Sequence, residues 1–280
     1  MSGVFIVTDS SSDLTEDEVA SLDIEIVPLT VRFGDEEFVD GRDLTIDDFY
    51  RRMAASDDLP QTACPSPGDF EQAFGRAADA GADAVVCITI SSDLSNTLQS
   101  AQTAADGCKG RLPVHVVDSK SVSSGLGTLV LEAGRAARTG ADVDAVLERV
   151  GEVIRRTHVF ATLNTLENLK KGGRIGGARA MVGSMLSIKP LIDITGGVVQ
   201  EAGKARTRKR AMQMLYEQMV RAGKIDHVAV MHGKAPDIDE FLELIAARFP
   251  RNSIRVGELG AVIGSHGGAE ILGVSWIDAE

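Results

Sequence analysis

The sequence predicts an α/β protein built as two lobes, with mostly parallel sheets flanked by helices. Three observations predict this. Short β-branched apolar runs, of which Val85-Val86-Cys87-Ile88-Thr89-Ile90 is the clearest, read as strands buried on both faces, the condition of a parallel sheet. These runs alternate with amphipathic helical stretches along the whole chain, the pattern of βα units. The 280 residues also exceed the roughly 250 at which one apolar core tends to divide into two.

In order, residues 4–7 form a first strand and residues 9–13 its polar exit. Thr15 and Glu18 have the capping-box spacing and open a short helix. Residues 24–33 read as a second strand, with a turn at Gly34-Asp35-Glu36-Glu37 before Phe38-Val39. Thr45 opens a helix that runs through Met53, and residues 60–67 read as a loop. Ser66 then caps a helix with Pro67 at its first position, where a missing N–H costs nothing. That helix stops at Ala80-Gly81 and the strand to Ile90 follows. Leu94, Leu98 and Ala101 recur at helical spacing, so a helix begins near Ser95. Residues 114–119 form another strand with a polar exit, and residues 124–138 and 142–156 two helices.

A second set of strand–helix units starts at His158, which places the lobe boundary between residues 156 and 157. Gly172-Gly173-Arg174-Ile175-Gly176-Gly177 is a glycine-rich turn, and residues 178–186 a short helix. Strands at 188–194 and 198–206 are joined by a hairpin turn at Thr195-Gly196-Gly197. Residues 207–221 are helical, 228–231 a strand, 237–249 a helix and 254–256 a strand. A short helix from Gly260 and a strand at 272–277 complete the chain.

Composition narrows the function. Apolar residues make up 44% of the chain, ordinary for a globule, and no apolar run approaches the ~18 residues that span a bilayer. A charged-then-apolar leader is absent at the N-terminus, so a cytoplasmic location is expected. Cys64, Cys87 and Cys108 are odd in number and lack metal-ligand spacing, so they read as reduced thiols, and no metal or cofactor is expected. Lys and Arg total 29 against 41 acids, a net charge of −12 that argues against nucleic acid and against a standing dock on anionic membrane. At 4% aromatic content there is no base-stacking platform.

Polar strand exits recur, at residues 8–12, 91–97 and 118–124. Ligands of open α/β sheets sit beyond the carboxyl ends of strands. The third exit leads straight into a helix, and the second opens one near Ser95, where free N–H groups and the helix dipole favour an anion. Hydroxyls and an amide crowd this second exit in Ser95, Asn96 and Thr97. A simple helix cap at Ser92 or Ser95 would use the same residues.

Several of these segments together resemble the DegV family. They are Ile6 to Leu14 with its Thr-Asp-Ser-Ser-Ser-Asp core, Thr62-Ala63-Cys64-Pro65-Ser66, and Ser91 to Ser95. Asp118-Ser119 with Ser124-Gly125, Leu166 to Ile175 with its Lys-Lys-Gly-Gly-Arg, Lys189-Pro190, and Gly264-Ser265-His266-Gly267-Gly268 follow in register. The sequence departs from the family pattern at Ala63, at Asn96 and at Gly268-Ala269.

The resemblance implies a two-lobed α/β fold that holds one long-chain fatty acid, such as palmitate, between its lobes. It further implies a carrier, not itself an enzyme, that presents the acyl carboxyl to a separate fatty acid kinase. Thr62 and Ser95 match the family's carboxylate-binding Thr and Ser; Arg174, His266 and Asn96 are candidates for further head-group or phosphoryl contacts. The energetics agree with such a ligand. A buried carboxylate needs donors, each contributing ~1.5–3 kcal/mol, while a sixteen-carbon tail offers ~12 kcal/mol gross at ~0.8 kcal/mol per CH₂.

Two rival classes remain on the page. A serine hydrolase acting on a lipid ester could use Ser95 and His266, although Asp93-Leu94-Ser95-Asn96-Thr97 is not a Gly-x-Ser-x-Gly elbow. A regulatory or nucleic-acid-binding module rests on Lys204-Ala205-Arg206-Thr207-Arg208-Lys209-Arg210, five basic residues in seven. Cations there oppose the dipole of the helix they open, which suggests an external anionic surface. Arg206 and Arg208 are the expected docking residues for a partner kinase; a solvated helix start is the plainer reading.

Overall fold

The computed structural model describes residues 3–56, 58–181 and 188–279. The first half contains β1 (Val4–Asp9), α1 (Glu16–Leu22), β2 (Glu25–Val27), β3 (Thr30–Phe33), β4 (Glu36–Val39), α2 (Ile46–Ala55) and β5 (Gln61–Ala63). It continues with α3 (Pro67–Asp79), β6 (Ala84–Thr89), α4 (Thr97–Gly107), β7 (Val114–Asp118), α5 (Ser124–Arg138) and α6 (Val143–Arg156). The second half contains β8 (Thr157–Thr162), α7 (Glu167–Lys171), β9 (Lys189–Asp193), β10 (Gln200–Ala205), α8 (Arg208–Ala222) and β11 (Ile225–His232). It ends with α9 (Ile238–Ala246), β12 (Arg255–Glu258), α10 (Ala261–Gly267) and β13 (Leu272–Asp278).

Three sheets result. The first runs β2-β1-β6-β7 and is parallel throughout. Its central strand β6 is buried at every residue, as a sequence apolar at all but Thr89 requires. The second runs β10-β9-β8-β13-β11-β12. The third is a small antiparallel sheet, β4-β3-β5. Helices α5 and α6 pack between the two large sheets: α5 touches β1 and β6 on one side and β8, β11 and β13 on the other. One apolar cluster therefore runs from Ile6, Val86 and Ile88 through Leu126, Leu129 and Val150 to Val159, Ile192 and Ile277. A satellite cluster of Leu29, Val31, Leu44, Phe49, Tyr50 and Val262 joins the small sheet, α2 and α10.

The α/β class and the parallel first sheet are as expected, but mostly parallel pairing does not extend to the second sheet. There only β11 and β12 run parallel, and the other neighbours are antiparallel. Gly196 and Gly197, both at positive φ, return the chain from β9 to β10 in a tight turn that only antiparallel strands allow. β13 then inserts between β8 and β11 and runs against both. The hairpin is the one expected at Thr195-Gly196-Gly197; the insertion of β13 is not revealed by the alternation of strands and helices.

Residues 24–33 are two strands rather than one. Pro28 cannot donate to a ladder, and the chain changes sheets there, from β2 in the large sheet to β3 in the small one. The expected loop at 60–67 contains β5, whose three residues pair with β3. Helix α4 starts at Thr97, with Asn96 at the cap position making no side-chain cap bond. Of the helix expected at 178–186, Ala178 to Met181 belong to a 3₁₀ turn, and the remainder lies outside the described residues. The caps at Thr15, Thr45, Ser66, Asp142 and Thr207 each accept the N–H three residues on.

Candidate functional site

The exits of β1, β6 and β7 bind one another. Asp9 is buried and accepts the N–H and hydroxyl of Ser11 and, across to the next strand, the N–H of Ile90 at 2.8 Å. Burial raises its pKa. Ser91 N–H donates to the Ser121 carbonyl at 3.0 Å and Ser123 N–H to that of Ser11 at 3.0 Å. Asp118 accepts the hydroxyl of Ser92 and the ammonium of Lys120. At the first and third exits the hydroxyls of Thr8, Ser10, Ser11, Ser119, Ser123 and Ser124 are bound within the fold, while those of Ser12 and Ser121 are buried without a partner among the described residues.

Beyond that edge lies an aliphatic cavity of about 80 Å³. Leu29, Ile90, Leu94, Val122, Leu163, Leu169, Ile192, Ile194, Val199, Val262, Ile263 and Ile271 line it, with no Phe, Tyr or Trp among the described residues. Its polar lining consists of Thr62, Ser95, Arg174 and His266. Three of these, Thr62, Arg174 and His266, also line a larger polar vestibule of about 550 Å³, together with Arg32, Asp58, Gln61, Asn168, Lys171 and Ser265. Thr62, Arg174 and His266 therefore form a neck between an aliphatic interior and a polar antechamber, with Ser95 on its aliphatic side.

Each neck residue is seated by a different element. Thr62 sits mid-way along β5, and its hydroxyl meets His266 Nε2 at 2.9 Å. Arg174 donates from Nε to the Leu94 carbonyl at 2.9 Å and from a terminal nitrogen to the Gly172 carbonyl at 2.7 Å, which ties the glycine-rich turn to the peptide before Ser95. Ser95 Oγ meets Thr97 Oγ1 at 2.8 Å and accepts the Thr97 N–H at 3.3 Å. His266 ends α10, with Nδ1 buried and without a hydrogen-bond partner among the described residues. Gly172 makes room for the ring: a Cβ there would lie 2.5 Å from Nδ1.

Burial and the neighbouring Arg174 charge lower the His266 pKa to about 4, so the imidazole is neutral across the physiological range and Arg174 is the standing cation of the neck. This arrangement suits holding an anion. It does not form a Ser–His–acid triad: Nε2 of His266 is taken by Thr62 rather than Ser95, and no carboxylate orients Nδ1 among the described residues.

The other candidates lie elsewhere. Asn96 is exposed and lines neither cavity. Arg208 is turned into a two-point ion pair with Asp237, at 2.8 and 3.1 Å, and braces α8 against α9. Arg210 pairs with Glu217. Arg206 is exposed, with no side-chain partner among the described residues. Sequence reasoning missed Arg32, Gln61, Lys171 and Asn168, although Asn168 and Lys171 fall inside a motif it singled out. Asn168 is buried and donates to the Ser265 carbonyl at 3.1 Å, fixing the end of α10. Among the described residues, no cluster of three His, Cys, Asp or Glu could hold a metal, and no helix is long and apolar enough to cross a membrane.

A family model described as "Uncharacterised protein, DegV family" matches residues 4–279. The chain belongs to the DegV family. A DegV domain-containing protein of Deinococcus radiodurans is 35% identical over 97% of each chain. Among solved structures, a DegV protein from Thermus thermophilus described by its fatty acid binding is 33% identical, with a TM-score of 0.90 over 99% of this chain and 100% of its own. A stearic-acid-binding protein from Eubacterium ventriosum is 25% identical, with a TM-score of 0.87 over 98% of this chain and 97% of its own. DegV neighbours of this fold thus bind fatty acids.

The depressed His266 pKa has a testable consequence. Between pH 6.5, its ordinary value, and about 4, the folded protein binds fewer protons here than the unfolded chain. The stability this group contributes is therefore present above 6.5 and lost as pH falls toward 4. Replacing Arg174 by Gln removes one of the two causes, so the ring should titrate above 4 in an NMR pH series. An unchanged midpoint would leave burial as the sole cause.

Proposed function

We propose that this DegV protein binds one long-chain fatty acid, with its carboxylate at the neck and its tail in the aliphatic cavity, and presents the carboxyl through the vestibule to a separate kinase. The observation that carries the reading is the neck itself, where hydroxyl and guanidinium donors ring the point at which an aliphatic interior opens to a polar basin. Fatty acid binding by neighbours of the same fold supports it. In this reading Ser95 and Thr62 donate to the carboxylate, Arg174 supplies the opposing charge, and neutral His266 fixes the Thr62 hydroxyl. A cavity of about 80 Å³ is well below the ~300 Å³ at the lower end of small-molecule sites, so a chain enters by parting the walls. The vestibule, with Arg32, Lys171 and Arg174 against Asp58, leaves the carboxyl open to a phosphoryl donor held by another protein. Of the basic run, Arg206 carries the docking role, because Arg208 is committed to Asp237.

The first test is mass spectrometry of an organic extract of the purified protein. A saturated or monounsaturated acid of about 14–18 carbons, long enough for burial to supply the affinity, should appear near one per chain. A clean protein that also refuses added palmitate would overturn the reading. The second is the pair Ser95→Ala with Thr62→Ala. Each lost donor costs ~1–3 kcal/mol, so binding should weaken by at least about thirtyfold in a protein that still folds; wild-type affinity would put the head group elsewhere. The third is Arg206→Glu, which should leave fatty acid affinity intact and slow acyl phosphate formation with the cognate kinase in a salt-dependent way. Unchanged turnover would make Arg206 an ordinary surface residue.

A further inference from the structure

Helix α10 is capped by Gly260, which has no side chain to satisfy the free N–H groups of the first turn. Two carboxylates from distant parts of the chain stand there instead. Asp13 Oδ1 accepts the Gly260 N–H at 2.9 Å, and the Asp40 carboxyl lies beside the backbone of Ala261. Ser123 Oγ donates to Asp13 Oδ2 at 2.5 Å, and Ser10, whose hydroxyl accepts the Leu29 N–H at 3.1 Å, lies beside Asp40. At the other end of the same helix is His266. Between them Gly264 packs so closely on α2 that a Cβ would lie 2.5 Å from the Phe49 ring. A helix this short is a stiff rod of about 10 Å, so its start and its end move together.

We propose that Asp13 and Asp40 are positioning residues of the head-group site, acting through α10 to seat His266 against Thr62. Neither residue touches the cavity of the neck, and the fatty acid reading leaves both unused. The inference takes from that reading what the site holds; the coupling along α10 is a property of the protein alone.

The groups that face the two carboxylates are few. Asp13 meets Ser123 of α5, Tyr50 of α2, Asp40, and Arg255 of β12. Arg255 donates to the Asp13 carbonyl at 3.0 Å but is itself paired with Glu18. Asp40 meets Ser10, Asp9 and the backbone of Gly41 and Ala261. Glu258 lies beyond Tyr50 and pairs with Lys234. Burial raises Asp13 to about 7 and Asp40 to about 6. Both therefore gain charge as pH rises through neutrality, where His266, at about 4, does not titrate.

The test follows the His266 ring by NMR in the full chain between about pH 5.5 and 8, with the signal assigned by its loss in His266→Gln. The wild-type ring should shift with a midpoint near 7, although its own proton does not move there. Asp13→Asn with Asp40→Asn keeps a side-chain oxygen at each position, removes both titrating carboxyls, and should flatten that profile. Asp13→Ala with Asp40→Ala should displace the ring signal at every pH and weaken palmitate binding roughly fivefold, the effect of losing one helix cap.

A flat wild-type profile overturns the proposal. So does an alanine variant, folded by Trp276 fluorescence, with the wild-type ring signal. Should the alanine pair fail to fold, the wild-type and asparagine profiles decide. Wild-type protein that refuses palmitate would count against the fatty acid reading and leave the ring measurement standing.

Discussion

Asp9 sits wholly out of water at the carboxyl end of β1, and a carboxylate there must find donors. It takes them from Ser11 in its own turn and from Ile90 on the neighbouring strand. That choice fixes two strand exits relative to each other, and much of the rest depends on it. The turn it shapes carries Ser10 to Asp40 and Asp13 to the start of α10. The exit it pins leads to Leu94, whose carbonyl receives Arg174, and to Ser95. Both sides of the neck thus descend from one buried side chain.

The electrostatics of the chain are local rather than global. A net charge of −12 describes the whole surface, yet among the described residues the vestibule gathers Arg32, Lys171 and Arg174 around Asp58. Field in a cleft is set by the charges that line it, not by the sum over the molecule. Arg174 serves two ends here, holding the strand exit by its hydrogen bonds and adding its charge to the burial that keeps His266 neutral.

The fold class and the first sheet were legible because β6 is apolar at nearly every position and the helices carry their caps in sequence, as at Thr15, Ser66 and Asp142. The direction of β13 was not legible, since periodicity carries no sign, and neither was β5, too short to show a period. The hydroxyl-rich exits looked alike in sequence. Only the partners distinguish Ser11 and Ser123, bound to Asp9 and Asp13, from Ser95, which faces the cavity. Arg208 looked like Arg206 for the same reason: Asp237, which claims it, lies 29 residues away. The meeting of Thr62 and His266 left no local trace at all.

That last contact joins residues 204 apart in sequence. Closing it requires β5, the strand exits and α10 to be in place together, so it belongs to the slow, non-local part of assembly. During synthesis the chain emerges from its N-terminal end, and the first sheet can form long before residue 266 exists. Until then the aliphatic interior has one wall and no rim. Closure of the neck is consequently one of the final events in making this protein, and a half-made chain offers an aliphatic surface without the polar contacts that border it in the finished fold.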